Sequence, residues 1–246
     1  MAQLIWLRAE SKPNERRSPI SPEGCRRLID LGIDVVIERS PLRIFSDEAY
    51  ESEGCRLVSP GAWHVAPQHA VILGLKELPE SSMPLSHAHC YFAHAFKHQP
   101  AAERLLRRFV DGGGQLYDLE YFVDNRGSRV AAFGYWAGYV GAALGVQAWC
   151  ASVGGSILQS VTPEFKKADL LQETKRMLST TTSSKPTVLV TGSLGRCGRG
   201  ASDFLRELEL DVVGWDLHET TAGGPFRDIL NFDILVHCAL ARSPTA

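Results

Sequence analysis

A lysine, a histidine, a glutamate and several arginines recur at equivalent places in the first half of this 246-residue chain. Lys76 directly follows the apolar run 70–75 and precedes Glu77. His94 follows Tyr91-Phe92-Ala93, with Lys97, His98 and Gln99 just beyond, and Glu120 comes shortly after Leu116-Tyr117-Asp118. Arg8 and Arg17 come after a strand-like Leu4–Leu7, and Arg129 precedes a glycine-rich stretch. Lysine, histidine and glutamate are proton-transfer residues. Arginine holds carboxylates through two parallel hydrogen bonds. A desolvated lysine near other cations loses proton affinity and can act as a general base, whereas a neighbouring glutamate pulls the other way. Any one of these residues reads equally as a surface charge at the start of a loop. The set together favours a site, because open α/β sheets bind ligands beyond the C-terminal ends of their strands.

The elements that would position them alternate between strand and helix. Ser21-Pro22-Glu23 opens a helix with an N-cap, a first-turn proline and a favourable acid, and Gly32 closes it. Val35-Val36-Ile37-Glu38, the run 70–75 and Tyr91-Phe92-Ala93 read as strands. A helix over 101–110 ends at Gly112-Gly113-Gly114, and a further strand starts at Gln115. Such alternation predicts a parallel sheet.

The second half carries a different signal. Thr187–Thr191 reads as a buried strand, Gly192, Gly195 and Gly198 follow at three-residue spacing, and Ala201 to Glu207 has helical character. That order presents backbone N–H groups and a positive helix end to a phosphate. Asp216 closes the next strand-like run, where a carboxylate takes ribose hydroxyls and disfavours a 2′-phosphate. The other reading is a tight β–α turn that needs small residues for packing. A third strand falls at 234–238, and the chain stops soon after, so the dinucleotide lobe is expected to be incomplete. Cys197 and Cys238 fall at positions that neighbour each other in the usual strand order. A disulfide or redox-sensitive pair is one reading, and two unrelated thiols is the other.

Composition limits the function classes. A net charge of −2 offers no electrostatic case for nucleic acid or an anionic membrane. The start of the chain is too soon charged for a secretory signal. Six scattered cysteines show no metal-ligand spacing, so no metal is expected, and reduced thiols suit a cytoplasmic protein. The stretch 131–153 would pass a crude membrane-span window, but Gly134, Gly138, Gly141 and Gly145 interrupt it. It reads as a buried helix that lets a neighbour approach closely. A polar helix over 163–178 and a flexible-looking linker over 179–184 follow. The predicted organisation is a substrate and catalytic lobe over 1–133, a connecting region over 134–184, and a partial nucleotide lobe over 185–246. The fold class is α/β, with two Rossmann-like lobes and parallel sheets.

Several segments together resemble saccharopine dehydrogenase of the NAD-dependent, L-lysine-forming kind, within the wider alanine dehydrogenase and transhydrogenase superfamily. They are Leu7-Arg-Ala-Glu-Ser-Lys-Pro13, Gly74-Leu-Lys-Glu-Leu-Pro79, Phe92-Ala-His94, Leu116-Tyr-Asp-Leu-Glu120, Arg129-Val-Ala-Ala-Phe-Gly134, Gly195-Arg-Cys-Gly198, Trp215-Asp216 and Gly223-Gly-Pro-Phe226. The resemblance implies oxidative cleavage of saccharopine, with NAD and water, to lysine and 2-oxoglutarate. It implies that Lys76 takes the proton from the substrate's secondary amine, that His94 serves as acid and base while water opens the imine, and that Glu120 tunes Lys76. Arg17, Gln99, Arg129 and Phe133 would hold the substrate. Gly192, Gly195, Arg196, Gly198, Asp216 and Thr220 would contact the cofactor. The partners implied are small molecules only, with a monomer expected for a complete chain. Ser128 stands where family members often carry a second arginine, and chains of that family run longer. Two alternatives remain: a related amino-acid dehydrogenase acting on alanine, and a shortened homologue that binds a ligand or partner without turnover.

Overall fold

The computed structural model describes residues 3–96, 101–161, 166–181 and 184–239. The chain divides into two units, Met1–Ala132 and Phe133–Ala246.

In the first unit the elements run β1 (Leu4–Leu7), α1 (Pro22–Asp30), β2 (Asp34–Glu38), α2 (Asp47–Ser52), β3 (Arg56–Val58), β4 (Ala70–Leu73), β5 (Ala88–Tyr91), α3 (Ala102–Gly112) and β6 (Gln115–Asp118). All six strands are parallel, in the order β3-β2-β1-β4-β5-β6. Their short apolar runs suit a sheet covered on both faces. Side chains alternate along β1: Leu4 and Trp6 join one core with Ile72, Trp63 and Phe109, while Leu7 joins the other with Ile37, Cys25 and Tyr50. Strand order reverses at β1, so the crevice between the ends of β1 and β4 is the switch point where such sheets take ligands.

Helix α1 forms as its sequence dictates. Ser21 accepts a hydrogen bond from Gly24 N–H at 3.1 Å, and Pro22 and Glu23 occupy the first turn. Glu38, at the end of β2, is fully buried. Its carboxylate accepts from Ala9 N at 2.8 Å, Gly61 N at 3.0 Å, Trp63 N at 2.7 Å and Trp6 Nε1 at 3.2 Å. A buried carboxylate without such partners would cost several kcal/mol, on the order of the desolvation penalty. Two strands differ from their sequence boundaries. β4 stops at Leu73, and β5 covers Ala88–Tyr91 where 91–93 was expected; Gly74 N and Phe92 N still donate to the Cys90 and Leu75 carbonyls, and only then do Leu75 N, Lys76 N and Ala93 N turn to side-chain carboxylates.

The second unit runs α4 (Gly134–Val153), α5 (Lys167–Thr181), β7 (Thr187–Thr191), α6 (Arg196–Glu207), β8 (Asp211–Trp215), α7 (Leu217–Thr220) and β9 (Ile234–His237). Its parallel sheet has the order β8-β7-β9. Tyr139, Ala142, Ala143, Val146 and Cys150 of α4 and Leu170 of α5 share one core with Val188, Val190, Phe204 and Leu205. The region over 134–184, expected as a connector, therefore supplies two helices to the nucleotide-type unit. The expected linker over 179–184 is also partly helical. Ser179, Thr180 and Thr181 donate their hydroxyls to carbonyls of Arg176 and Met177, a partnership that satisfies them inside the helix. The polar helix expected from 163 is described from Lys167, and residues 162–165 and 182–183 lie outside the described set. Among the described residues no helix is long and apolar enough to cross a membrane.

Close approach of α4 to α6 rests on glycine at two positions. A Cβ at Gly138 would strike the Cys197 carbonyl, and one at Gly200 would strike the Tyr135 carbonyl. Tyr135 and Tyr139 then seal the contact by donating to Asp203 and Glu207, each at 2.9 Å. Gly141, on the same predicted stripe, meets nothing within 4 Å. Gly138→Ala should therefore destabilise by about 2 kcal/mol through overpacking. Gly141→Ala, in an exposed helix interior, should stabilise by roughly 0.5–1 kcal/mol. Thermal denaturation checks both, and equal effects would remove the proposed distinction.

Candidate functional site

The first unit gathers its polar residues on one edge. Past β1 the chain carries Arg8 and Glu10, past β4 Lys76 and Glu77, past β5 His94, and past β6 Glu120. β1, β4, β5 and β6 are consecutive neighbours, so these residues follow adjacent C-terminal strand ends. Side-chain carboxylates fix each exit. Glu10 accepts from Leu75 N at 2.7 Å and Lys76 N at 3.0 Å. Asp118 Oδ1 accepts from Ala93 N at 3.3 Å and Glu120 N at 3.0 Å, and so ties the approach to His94 to the start of Glu120. His94 itself has φ of 52°, a left-handed conformation that a non-glycine residue adopts at a cost. Its ring stacks with Phe92 at 6.3 Å between centroids.

Glu120 lies between two predicted site residues. It accepts from Arg129 Nη2 at 2.8 Å, and its Oε2 is 4.0 Å from His94 Nδ1. Arg17 pairs with Glu15 through both Nε, at 2.8 Å, and Nη2, at 2.5 Å. The Arg17 hydrogen bond holds the Glu15 carboxyl below its ordinary value; burial opposes this, and the charge of Lys76 adds to it. Burial pushes the Glu77 carboxyl up, but hydrogen bonds from its own backbone and Lys12, and the charges of Lys12 and Lys76, hold it low. Lys12 Nζ is 3.1 Å from Glu77 Oε2. Lys76 thus acts electrostatically on Glu15 and Glu77, neither of which the sequence had marked as a site residue. Glu10, Glu15 and Asp118 were missed altogether. The signal that could have found the first two is the run Arg8-Ala-Glu-Ser-Lys-Pro-Asn-Glu-Arg-Arg17, where acids sit singly among bases. Gln99, with Lys97 and His98, lies outside the described residues, and Phe133 begins the second unit.

In the second unit the glycine turn has the shape its sequence suggested. Gly192 has φ of +69°, and a Cβ there would come within 2.8 Å of Ala239 N. A Cβ at Gly198 would fall within 2.6 Å of Ser193 Cα. Gly195 is the N-cap of α6, so Arg196, Cys197 and Gly198 form the helix's first turn, where backbone N–H groups lack intrahelical partners. Asp216 follows β8 and accepts from Leu194 N at 3.0 Å and Leu217 N at 2.9 Å. Thr220 donates its hydroxyl to the Asp216 carbonyl at 2.9 Å. Cys197 and Cys238 are free thiols. Burial first, then the Cys197 hydrogen bond and charge, push the Cys238 thiol up to about 12. No group of histidine, cysteine, aspartate and glutamate among the described residues could hold a metal ion.

Comparison with known proteins places this geometry. Residues 6–140 match the family model of the alanine dehydrogenase/PNT N-terminal domain. The L-lysine-forming, NAD(+) saccharopine dehydrogenase of Yarrowia lipolytica is 44% identical over 98% of this chain and 68% of its own length. The chain belongs to the saccharopine dehydrogenase family. The Emericella nidulans and Candida glabrata saccharopine dehydrogenases are 45% and 40% identical, over 95% and 100% of this chain. The chain spans 65% and 69% of those two relatives. An L-alanine dehydrogenase structure shares the fold with a TM-score of 0.60 at 18% identity, over 95% of this chain and 60% of its own. Membership of this dehydrogenase family points to a nicotinamide cofactor.

The thiol pair generates a test. In the reduced chain, alkylation of Cys238 should be slow at neutral pH and accelerate roughly tenfold per pH unit up to about pH 10, because only the thiolate reacts. Mass spectrometry of the alkylated peptide reads this, and a plateau near pH 9 would contradict the raised value.

Proposed function

We propose that this chain carries out the oxidative cleavage of saccharopine, with NAD and water, to L-lysine, 2-oxoglutarate, NADH and a proton. The observation that carries the reading is the single edge on which Lys76, His94 and Glu120 follow adjacent parallel strands. Lys76 is the base for the substrate's secondary amine, so that its N–H proton leaves as the C–N bond becomes an imine. His94 then removes a proton from the attacking water and returns one to the departing lysine amine. Glu120, which accepts from Arg129 and stands 4.0 Å from His94 Nδ1, has in this reading the role of tuning Lys76. Arg17 and Arg129 receive substrate carboxylates, each exchanging part of its present carboxylate pairing for the ligand's. Phe133 and Gln99 complete the substrate contacts in this reading.

The second unit fits a dinucleotide. Positive φ at Gly192 and the absence of room for a Cβ at Gly198 leave bare backbone at the start of α6. Gly192, Gly195, Arg196 and Gly198 would hold the diphosphate, and Asp216 with Thr220 would hold the adenosine ribose. When bound, NAD supplies the hydride acceptor. A carboxylate at Asp216 favours the unphosphorylated ribose, which selects NAD over its 2′-phosphate analogue.

Absorbance of NADH, with NAD and saccharopine supplied to the folded chain, tests the proposal, with alanine as the competing substrate. Turnover with saccharopine and not alanine is expected. A folded chain silent with saccharopine, or active only on alanine, would sink it. Lys76→Met should lower kcat by roughly 100-fold or more, the scale of general-base loss. Asp216→Asn should weaken NAD binding by roughly tenfold while leaving saccharopine binding near normal, and equal weakening of both would remove its ribose role.

A further inference from the structure

We infer that Arg8 and Glu10 form a two-sided clamp that positions Lys76 for its reaction. The clamp rests on the reading of Lys76 as the base. Strand β4 ends at Leu73, so residues 74–76 have left the regular strand. Their backbone is nonetheless held on both faces of the peptide chain. Glu10 Oε1 accepts from Leu75 N at 2.7 Å and its Oε2 accepts from Lys76 N at 3.0 Å. Arg8 Nη2 donates to the Lys76 carbonyl. The N–H and the C=O of the residue that bears the amine are thus fixed by one acid and one base, which lie 3.5 Å apart as an ion pair.

Three further features show that the clamp is built in. The side chains of Arg8 and Glu10 are 1% and 7% exposed. The guanidinium lies 5.5 Å from the centre of the Tyr91 ring. A Cβ at Gly74 would fall inside the guanidinium, so the residue before the clamped pair must be glycine for Arg8 to reach across. Such burial is hard to explain as stabilisation. A buried ion pair is often no better for stability than a packed apolar pair of the same volume, because desolvation consumes the attraction. Its return here is geometric. Glu10 spends its hydrogen bonds on the N–H groups of Leu75 and Lys76, Arg8 divides its own between the Lys76 and Ala9 carbonyls, and a displacement of about 1 Å at a catalytic group can cost on the order of 100-fold in rate. Glu10 and Arg8 act through the backbone of Lys76, as positioning residues.

Four variants test this: Glu10→Gln, Arg8→Lys, Lys76→Met and the double change Glu10→Gln with Lys76→Met. Amide hydrogen exchange at residues 75 and 76 should accelerate by roughly 10-fold or more in Glu10→Gln, while the β1 and β4 amides keep their protection. Glu10→Gln should lower kcat by roughly 10-fold or more with KM for NAD unmoved, and should add no loss in the Lys76→Met background. A residue with a merely structural role would lower the rate in both backgrounds. Should Glu10→Gln not fold, Arg8→Lys, which keeps the charge and shortens the reach, carries the same readouts. Unchanged exchange at 75 and 76, or an additive loss in the double variant, overturns the clamp. A wild-type chain without turnover overturns Lys76 as the base and with it the catalytic half of the inference; exchange still decides whether the clamp exists.

Discussion

Where parallel strands end, the backbone N–H groups that the ladder releases must find new acceptors, and in the first unit buried carboxylates take them. Glu10 serves the exit of β4, Asp118 joins the exits of β5 and β6, and Glu38 ties the exits of β1 and β2 to the segment at 61–63. A carboxylate has lone pairs for several donors and is stabilised by each, so one buried acid can fix two or more loops at once. The same interaction sets the positions of Lys76, His94 and Glu120. The reach of the polar side chains at this edge depends on acids buried behind it.

Much of this architecture could be read from the residues. The alternation of short apolar runs with amphipathic segments announced a parallel sheet, and the residues following those runs fall along one of its edges. The N-cap at Ser21 and the glycine turn at 192–198 also carried their own local signals. What stayed hidden was non-local. Glu10 looks like any surface acid until β1 and β4 are paired, since its partners lie 65 and 66 residues away. Asp118 read as the end of a strand, and only its contact with Ala93, 25 residues upstream, gives it a role. Side-chain acceptors also take the N–H groups of Leu75, Lys76 and Ala93, a change of partner that residue propensity cannot foresee.

The second unit shows the opposite balance, with backbone shape dominating over side-chain chemistry. Gly138 and Gly200 bring α4 and α6 together because neither has a Cβ, while Gly141 sits on the same stripe with nothing against it. Spacing alone could not tell these apart, since a glycine matters only where something approaches. Ser179 to Thr181 misled in the other direction. A hydroxyl-rich run suggests a linker, yet those hydroxyls fold back onto carbonyls of the turn before them and the helix continues.

The separation between Glu10 and Lys76 also orders events in time. A contact spanning 66 residues forms only after the intervening loop has closed, and loop closure of that length is an entropic hurdle that local contacts do not face. Gly74 N finds its acceptor on β5, but the N–H groups of Leu75 and Lys76 gain theirs only when β1 docks alongside. The order of those two amides therefore reports on whether the N-terminal strand has reached its place at the centre of the sheet.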